Sequence, residues 1–430
     1  MLPEAFLDRI KAQLGEEYPQ YLQSLERPRA VALRFNPLKG ERPQLPFVGE
    51  NVPWEAQGFY YDSESRPGLH PYHEAGVYYL QEASAMSAVA LLEPQPGEKV
   101  LDLCAAPGGK STQIAARMQG RGFLLCNEYS PKRAKILSRN IERMGVANAL
   151  VTNETPENLA KRLPGYFHRV LIDAPCSGEG MFRKEEAAVT DWSEDTVAMC
   201  ARRQSEILTQ GARLVAPGGR LVYSTCTFAP AENEKAVAAF LAENPEFSPV
   251  DISAPWFTRV GVGQFRLWPH KLLGEGHFVA VMERSAAGEA EEIPLQKGEK
   301  LPKPLEAFLK ELGIALPQGK AVAFGDTWYY APEELPALKG LRVLRPGLEL
   351  GKVIKDRFEP AHALALWLKS CKNCLDISAQ SQQIEKYMHG EVLPCQSRGW
   401  CLVRVDGYSI GWGKADGKQL KNHYPKGLRR

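Results

Sequence analysis

The stretch 99–118, KVLDLCAAPGGKSTQIAARM, decides the fold. KVLDL is an apolar strand run, CAAPGG a turn, and the residues from Lys110 onward have helical spacing. Glycines followed by Lys110 and Ser111 look like the end of a phosphate-binding loop, but that loop requires a glycine where Cys104 stands. With no matching second acid motif either, a phosphate-loop hydrolase is excluded. A strand, glycine turn and helix in this order place the turn at the carboxyl end of a central strand, where open α/β sheets bind ligands. Gly108 and Gly109 let the backbone approach a ligand, Pro107 stiffens the turn, and the helix offers its amide end.

Further strand runs follow at GFLLCN (122–127), ALVT (149–152), RVLID (169–173) and RLVYST (220–225). Between them lie the helical patterns PKRAKILSRNIERM (131–144) and VAMCARRQSEILTQGARLV (197–215), with PGGR (217–220) expected as a tight turn. This alternation predicts an α/β domain with a Rossmann-like parallel sheet over 71–283. Residues 1–70 form a smaller unit, with EAFLDRIKAQLG as a helix and AVALRF as a strand. Residues 284–303 are small, charged and proline-containing, as a linker is, and 304–430 form a last region with probable strands GWCLVRVDG and YSIGW.

The 430 residues are 44% hydrophobic and 24% charged, an ordinary globular composition. No stretch of about 18 apolar residues occurs, so no membrane span is expected, and the start does not have the pattern of a signal peptide. Nine cysteines, an odd count in a long chain, fit reduced thiols and a cytoplasmic protein. The net charge of +2 does not announce a nucleic-acid binder, but its distribution suggests one. Residues 27–42 carry five basic residues against one acid, and residues 413–430 six against one. Two such segments could grip a polyanion or be solvated surface.

The strand ends carry the chemistry. Glu128, at the end of the second strand and about 20 residues past the glycine turn, suits a ribose diol. Glycine turn plus acid is shared by NAD enzymes and methyltransferases, and the absence of G-x-G-x-x-G lowers the former. RVLID ends in APCSGEGMFRK and RLVYS in TCTFAP, which brings Asp173, Cys176 and Cys226 to one sheet edge. A single buried cysteine is usually a small core residue. Two of them, each on a loop directly after a strand, fit that role less well.

CAAPGGKS (104–111), DAPCSGEGMFRK (173–184), STCTFAPAENE (224–234), RLWPHKLLGEGHF (266–278) and NHYPKGLR (422–429) together resemble the Nop/Sun family of RNA 5-methylcytosine methyltransferases. The resemblance implies a class I methyltransferase domain flanked by small α+β RNA-binding domains. It implies S-adenosyl-L-methionine as cofactor and cytosine in RNA as methyl acceptor. Small-subunit (16S) ribosomal RNA, naked or in the subunit, is the expected substrate, with transfer RNA as the alternative and a monomer as the expected state. By the same resemblance, residues 1–70 are an RNA-binding lobe with Arg34 and Asn36 near the pocket, and 304–430 are a PUA-like RNA-binding unit.

Carbon 5 of cytosine is a poor nucleophile; a thiolate adding to carbon 6 makes it an enamine carbon. The resemblance makes Cys226 the nucleophile, Cys176 the residue assisting product release and Asp173 the acid polarising cytosine at N3, which requires a raised pKa. DNA 5-methylcytosine enzymes attack with a Pro-Cys cysteine, so by that analogy Cys176 would be the nucleophile. Lys110 would steady the turn or the cytosine pocket. The cofactor set carried over is Cys104, Ala105, Ala106, Pro107, Gly108, Gly109, Lys110, Glu128, Arg133 and Asp173. Thr155 stands where relatives place an acid for the adenine amino group, so Thr155 or Glu154 is expected to serve there. Arg183 and Lys184 could meet a phosphate. His270 and His277 could shape the rim of the site, though structural histidines are more usual. Cys371 and Cys374, with Cys395 and Cys401, invite a zinc site, but the second pair is not a close C-x-x-C and no metal is expected. Trp400, Trp412 and Tyr424 could stack on bases, though core packing is more usual. Two other functions stay open: methylation of an exocyclic amine, which would not need Cys226, and an RNA-binding assembly factor with vestigial catalysis, which would need none of Asp173, Cys176 and Cys226.

Overall fold

The computed structural model describes residues 2–288 and 291–429, so Met1, Glu289, Ala290 and Arg430 lie outside the described residues, the middle two within the expected linker. Its centre is a ten-stranded sheet. Five parallel strands form its middle, in the spatial order Val215–Thr225, Phe167–Asp173, Lys99–Asp102, Phe123–Asn127, Ala149–Thr152. The chain runs one way from Lys99–Asp102 through the second and third strands, then returns to the other side for the fourth. The point where the order reverses lies between the ends of Lys99–Asp102 and Phe167–Asp173, which is where an α/β sheet opens a crevice. Helices Gly109–Arg117, Pro131–Arg143 and Glu194–Ala212 cover the faces. The parallel strands are almost wholly buried because both faces are covered, hence their continuous apolar runs.

Beyond the fifth strand the sheet turns antiparallel, through His277–Arg284, Gln264–Leu267 and Thr258–Gly261. PGGR is not a turn between elements: it lies inside the strand Val215–Thr225, where Gly218 has φ +73° and the pairing with Phe167–Asp173 shifts register. Pro-Gly-Gly here makes a bulge.

The N-terminal helices Glu4–Leu14 and Tyr18–Glu26 precede a four-stranded sheet built from Val48–Asn51, Gly58–Tyr61, Ala32–Phe35 and Tyr78–Leu80. The last of these strands lies past residue 70, where the sequence suggests a break. Residues 304–430 hold two sheets of their own. They also lend the catalytic sheet an edge strand, Val343–Pro346, antiparallel to Ala149–Thr152. In the expected linker, Leu295 bridges Pro336 and Glu299 bridges Ala321. Among the described residues no helix is long and apolar enough to cross a membrane.

Candidate active site

Every part of the site hangs from the carboxyl end of a central strand. After Asp102 the turn is braced from outside: Ala105 N donates to Asn127 O (2.8 Å), Arg133 Nη2 to Ala106 O (2.6 Å) and Asn140 Nδ2 to Pro107 O (2.8 Å). Gly108 has φ +112°, a backbone conformation that strains any other residue, and a Cβ there would crowd Leu137 Cδ1 at 3.2 Å. Arg133 also lies 3.4 Å from Glu128 Oε2. Half exposed, it braces the turn against the acid. Glu128 is buried, with Oε1 accepting from Ser130 N at 2.8 Å.

Asp102 was not singled out from the sequence, because it is embedded in the apolar run KVLDL. It is wholly buried, its Oδ2 accepts from Ser111 Oγ (2.7 Å), and its Oδ1 has no hydrogen-bond partner among the described residues. Burial, outweighing the Ser111 bond, pushes its carboxyl up to about 7. An orphaned acid oxygen beneath a glycine turn is what a cationic ligand group would satisfy. Burial, with Asp102 beside it, raises the Cys104 thiol, so Cys104 is no nucleophile.

Across the crevice, Asp173 Oδ2 accepts from Lys110 Nζ at 2.7 Å and Oδ1 from Ser224 Oγ at 2.8 Å, with His277 Nε2 3.5 Å from Oδ1. His277 thus stands at the site itself. The expected raised pKa of Asp173 is corrected here. Burial alone would raise it, but the Lys110 charge and hydrogen bond, with the His277 ring close by, outweigh burial and hold the carboxyl well below the usual range. Lys110 is raised in turn, burial being overcome by Asp173.

Cys176 Sγ lies 3.3 Å from Cys226 Sγ, both as free thiols on half-buried loops. The loops touch through their backbones: Gly180 N donates to Cys226 O (2.8 Å), and a Cβ on Gly180 would meet that oxygen at 2.9 Å. The Cys226 hydrogen bond, then burial, raises the Cys176 thiol well above its ordinary range.

Other expected site residues are occupied structurally. Thr155 Oγ1 accepts from Asn158 N (3.1 Å) and caps helix Pro156–Arg162. Glu154 accepts from Asn158 Nδ2 (2.9 Å) and Arg342 N (2.6 Å), so its carboxylate is committed to the C-terminal region. Arg34 Nη2 donates to Gly109 O (3.1 Å) and Thr112 Oγ1 (2.8 Å), and Asn36 Nδ2 to Gly76 O (3.0 Å) and Met144 O (2.8 Å). Both anchor the N-terminal lobe, Arg34 next to the Lys110 turn. Arg183 donates to Ser24 O (2.8 Å), and His270 Nε2 lies 3.1 Å from Glu17 Oε2. Trp412 and Tyr424 are buried, while Trp400, partly buried, has Lys414 over its ring at 5.6 Å. Cys371 and Cys374 have sulfurs 3.8 Å apart, but no group of three or more metal-ligating side chains occurs among the described residues.

A doubly wound sheet with its glycine turn, ribose-type acid and reactive residues around one switch point defines a Rossmann-like methyltransferase. Comparison with known proteins narrows this. The family described as "16S rRNA methyltransferase RsmB/F" matches residues 89–283. Three further families match the flanks: the N-terminal domain of 16S rRNA methyltransferase RsmF over 2–83, its first C-terminal domain over 307–368 and its PUA domain over 374–430. Ribosomal RNA small subunit methyltransferase F of Vibrio vulnificus is 32% identical, over 99% of this chain and 97% of that one. Its namesake from Erwinia tasmaniensis is 30% identical, over 99% and 96%. Among solved structures, a methyltransferase homolog from Pyrococcus horikoshii has a TM-score of 0.55 at 26% identity, over 66% of this chain and all (100%) of that one. NSun6 from the same organism, solved with SFG, shares the fold with a TM-score of 0.58 at 21% identity, over 66% and 99%. The chain belongs to the RsmB/F family of 16S rRNA methyltransferases.

Proposed function

We propose that the protein transfers a methyl group from S-adenosyl-L-methionine to carbon 5 of cytosine in 16S ribosomal RNA through a transient Cys226 adduct. One observation carries this: two free thiols 3.3 Å apart, on the strand-end loops next to the Lys110–Asp173 pair. Neither an RNA-binding factor nor an exocyclic-amine methyltransferase needs such a pair. The residues around the turn fit the cofactor. Asp102 has an oxygen for its ammonium, and the buried Glu128 at the end of the next strand suits its ribose. When bound, it supplies an electrophilic methyl group on sulfonium. The side chains of Thr155 and Glu154 are engaged elsewhere, which leaves backbone groups at that edge to hold the adenine.

The Cys226 thiolate bonds to carbon 6, and the displaced ring electrons make carbon 5 nucleophilic while N3 takes a proton. Asp173 is held ionised, so it is not the resting source of that proton. The proton sits on Lys110 and passes across the 2.7 Å contact through the carboxylate. After methylation, the carbon 5 proton leaves, the N3 proton returns through the Asp173 carboxylate to Lys110, the ring double bond re-forms, and the carbon–sulfur bond breaks. Cys176 gives its S–H proton to the departing Cys226 sulfur and takes the carbon 5 proton. The one proton that the reaction releases overall is lost from Cys226 before the next cycle.

RNA containing 5-fluorocytidine tests this, since fluorine cannot leave as a proton and the adduct persists. The adduct maps to Cys226 in the wild type and is lost in Cys226→Ala. On ordinary RNA, Cys176→Ala accumulates adduct. Attachment through Cys176, or methylation surviving in Cys226→Ala, overturns the mechanism. Bisulfite mapping of 16S rRNA from cells with and without the gene tests the substrate.

A further inference from the structure

The two sulfurs are chemically alike and in contact, yet the reaction needs one as thiolate and the other as thiol. The difference lies behind them, at Glu232, which is wholly buried. Its Oε2 accepts from Ser177 N and from Gln204 Nε2, both at 2.9 Å, and its Oε1 from Ser177 Oγ. All three partners are donors, the setting of an ionised carboxylate; burial raises this carboxyl and the Ser177 and Gln204 bonds oppose that rise. Ser177 follows Cys176, and its hydroxyl also bonds Thr227 Oγ1 (2.9 Å), the residue after Cys226. Gln204 Nε2 reaches Pro175 O as well (3.0 Å), and Asn233 Nδ2 holds Thr227 O (2.9 Å). One buried anion therefore ties the two cysteine loops together, and it is bonded to the peptide that follows Cys176.

We propose that Glu232 is the positioning residue of the cysteine pair: it fixes the two loops at contact distance and, by setting its charge against Cys176, makes Cys176 the proton holder and Cys226 the nucleophile. The inference rests on the cysteine roles proposed above. Charged and titratable groups face this centre from several elements: Lys110 and Asp173 beyond Cys226, and Tyr223, Glu179, and Cys200 with Arg203 around Glu232. Among these, Glu232 is the anion hydrogen-bonded to the Cys176 loop. Its charge raises the Cys176 thiol, after the Cys226 contact and burial.

The test uses the full chain. In a Cys226→Ser background, iodoacetamide labelling of Cys176 is followed against pH by peptide mass spectrometry. Glu232→Gln, nearly isosteric but neutral, moves the labelling profile to lower pH by about half a unit, roughly a threefold gain in thiolate at fixed pH. With Cys226 intact, the same variant slows product release and accumulates adduct on ordinary RNA. An unmoved profile in a folded Glu232→Gln protein overturns the electrostatic role. Ser177→Ala keeps the charge but cuts the bridge to Thr227, and serves even if Glu232→Gln does not fold. It lowers kcat about tenfold with KM for RNA unchanged; an unchanged kcat overturns the positioning role. Failure of the underlying mechanism shows separately, as a wild-type 5-fluorocytidine adduct at Cys176.

Discussion

Lys110 and Asp173 show how much one contact alters a residue's chemistry. An aspartate meant to give a proton to cytosine would be raised by burial, but the ammonium 2.7 Å away reverses the sign. A carboxyl depressed in the folded state contributes stability that is present above its unfolded value near 4 and lost as pH falls through the folded one. A lysine raised in the folded state contributes below its unfolded value near 10.4 and loses this above. The pair's stabilisation is therefore complete between those two values. Lys110→Met, which leaves a carboxylate that is 29% exposed without its cation, should cost about 1–2 kcal/mol at pH 7. In urea melts the difference from wild type should narrow below pH 4, and a constant difference would refute the pairing. Turnover in this variant should fall about 100-fold or more, the usual worth of a placed proton donor.

Among the elements, Thr155 sets a capping role against the cofactor role expected of it. As the cap of helix Pro156–Arg162, its loss in Thr155→Ala should cost about 1 kcal/mol. If the side chain does nothing for adenine, the S-adenosyl-L-methionine dissociation constant should stay within about twofold by calorimetry. A tenfold weakening would return the residue to the cofactor site. The strands and the helices between them were legible because buried parallel strands must be continuous apolar runs ending at turn residues; ALVT matches the strand Ala149–Thr152 residue for residue. What was not legible depended on distant partners. Asp173 reads as a proton donor until Lys110, 63 residues upstream, is set beside it. Arg34 and Lys39 read as part of a basic surface, yet both are buried, since their partners come from the Lys110 turn and from Leu366. Asp102 and Glu232 carry no local signal because a buried acid looks in sequence like any other acid. PGGR was misread because Pro-Gly-Gly signals a turn and a strand bulge equally well.

At the scale of the whole molecule, the two ends of the chain meet over the catalytic sheet. Tyr72 Oη donates to Asp406 Oδ2 (2.8 Å), Tyr408 Oη to Glu41 O (2.7 Å), and Lys39 Nζ to Leu366 O. Among the described residues Lys39 has no carboxylate partner at this junction: burial, and Arg143 beside it, push its amine down to about 7. The unfolded chain keeps that proton to about pH 10.4, so between 7 and 10.4 the unfolded state binds more protons and folding stability rises with pH. Below 7 the folded state must hold a buried ammonium and the gain disappears. Cysteine ionisation in the unfolded chain acts in the opposite direction above about 8.5, which sets the window for measurement. Wild type should therefore gain on the order of 1 kcal/mol relative to Lys39→Met between pH 7 and 8.5. Lys39→Met loses the bond to Leu366 O, which shifts its melting temperature at every pH, so the slope and not the level is diagnostic. Parallel melting curves of the two proteins across that window would show that Lys39 is charged at the junction and that the lobes are held there by an ammonium.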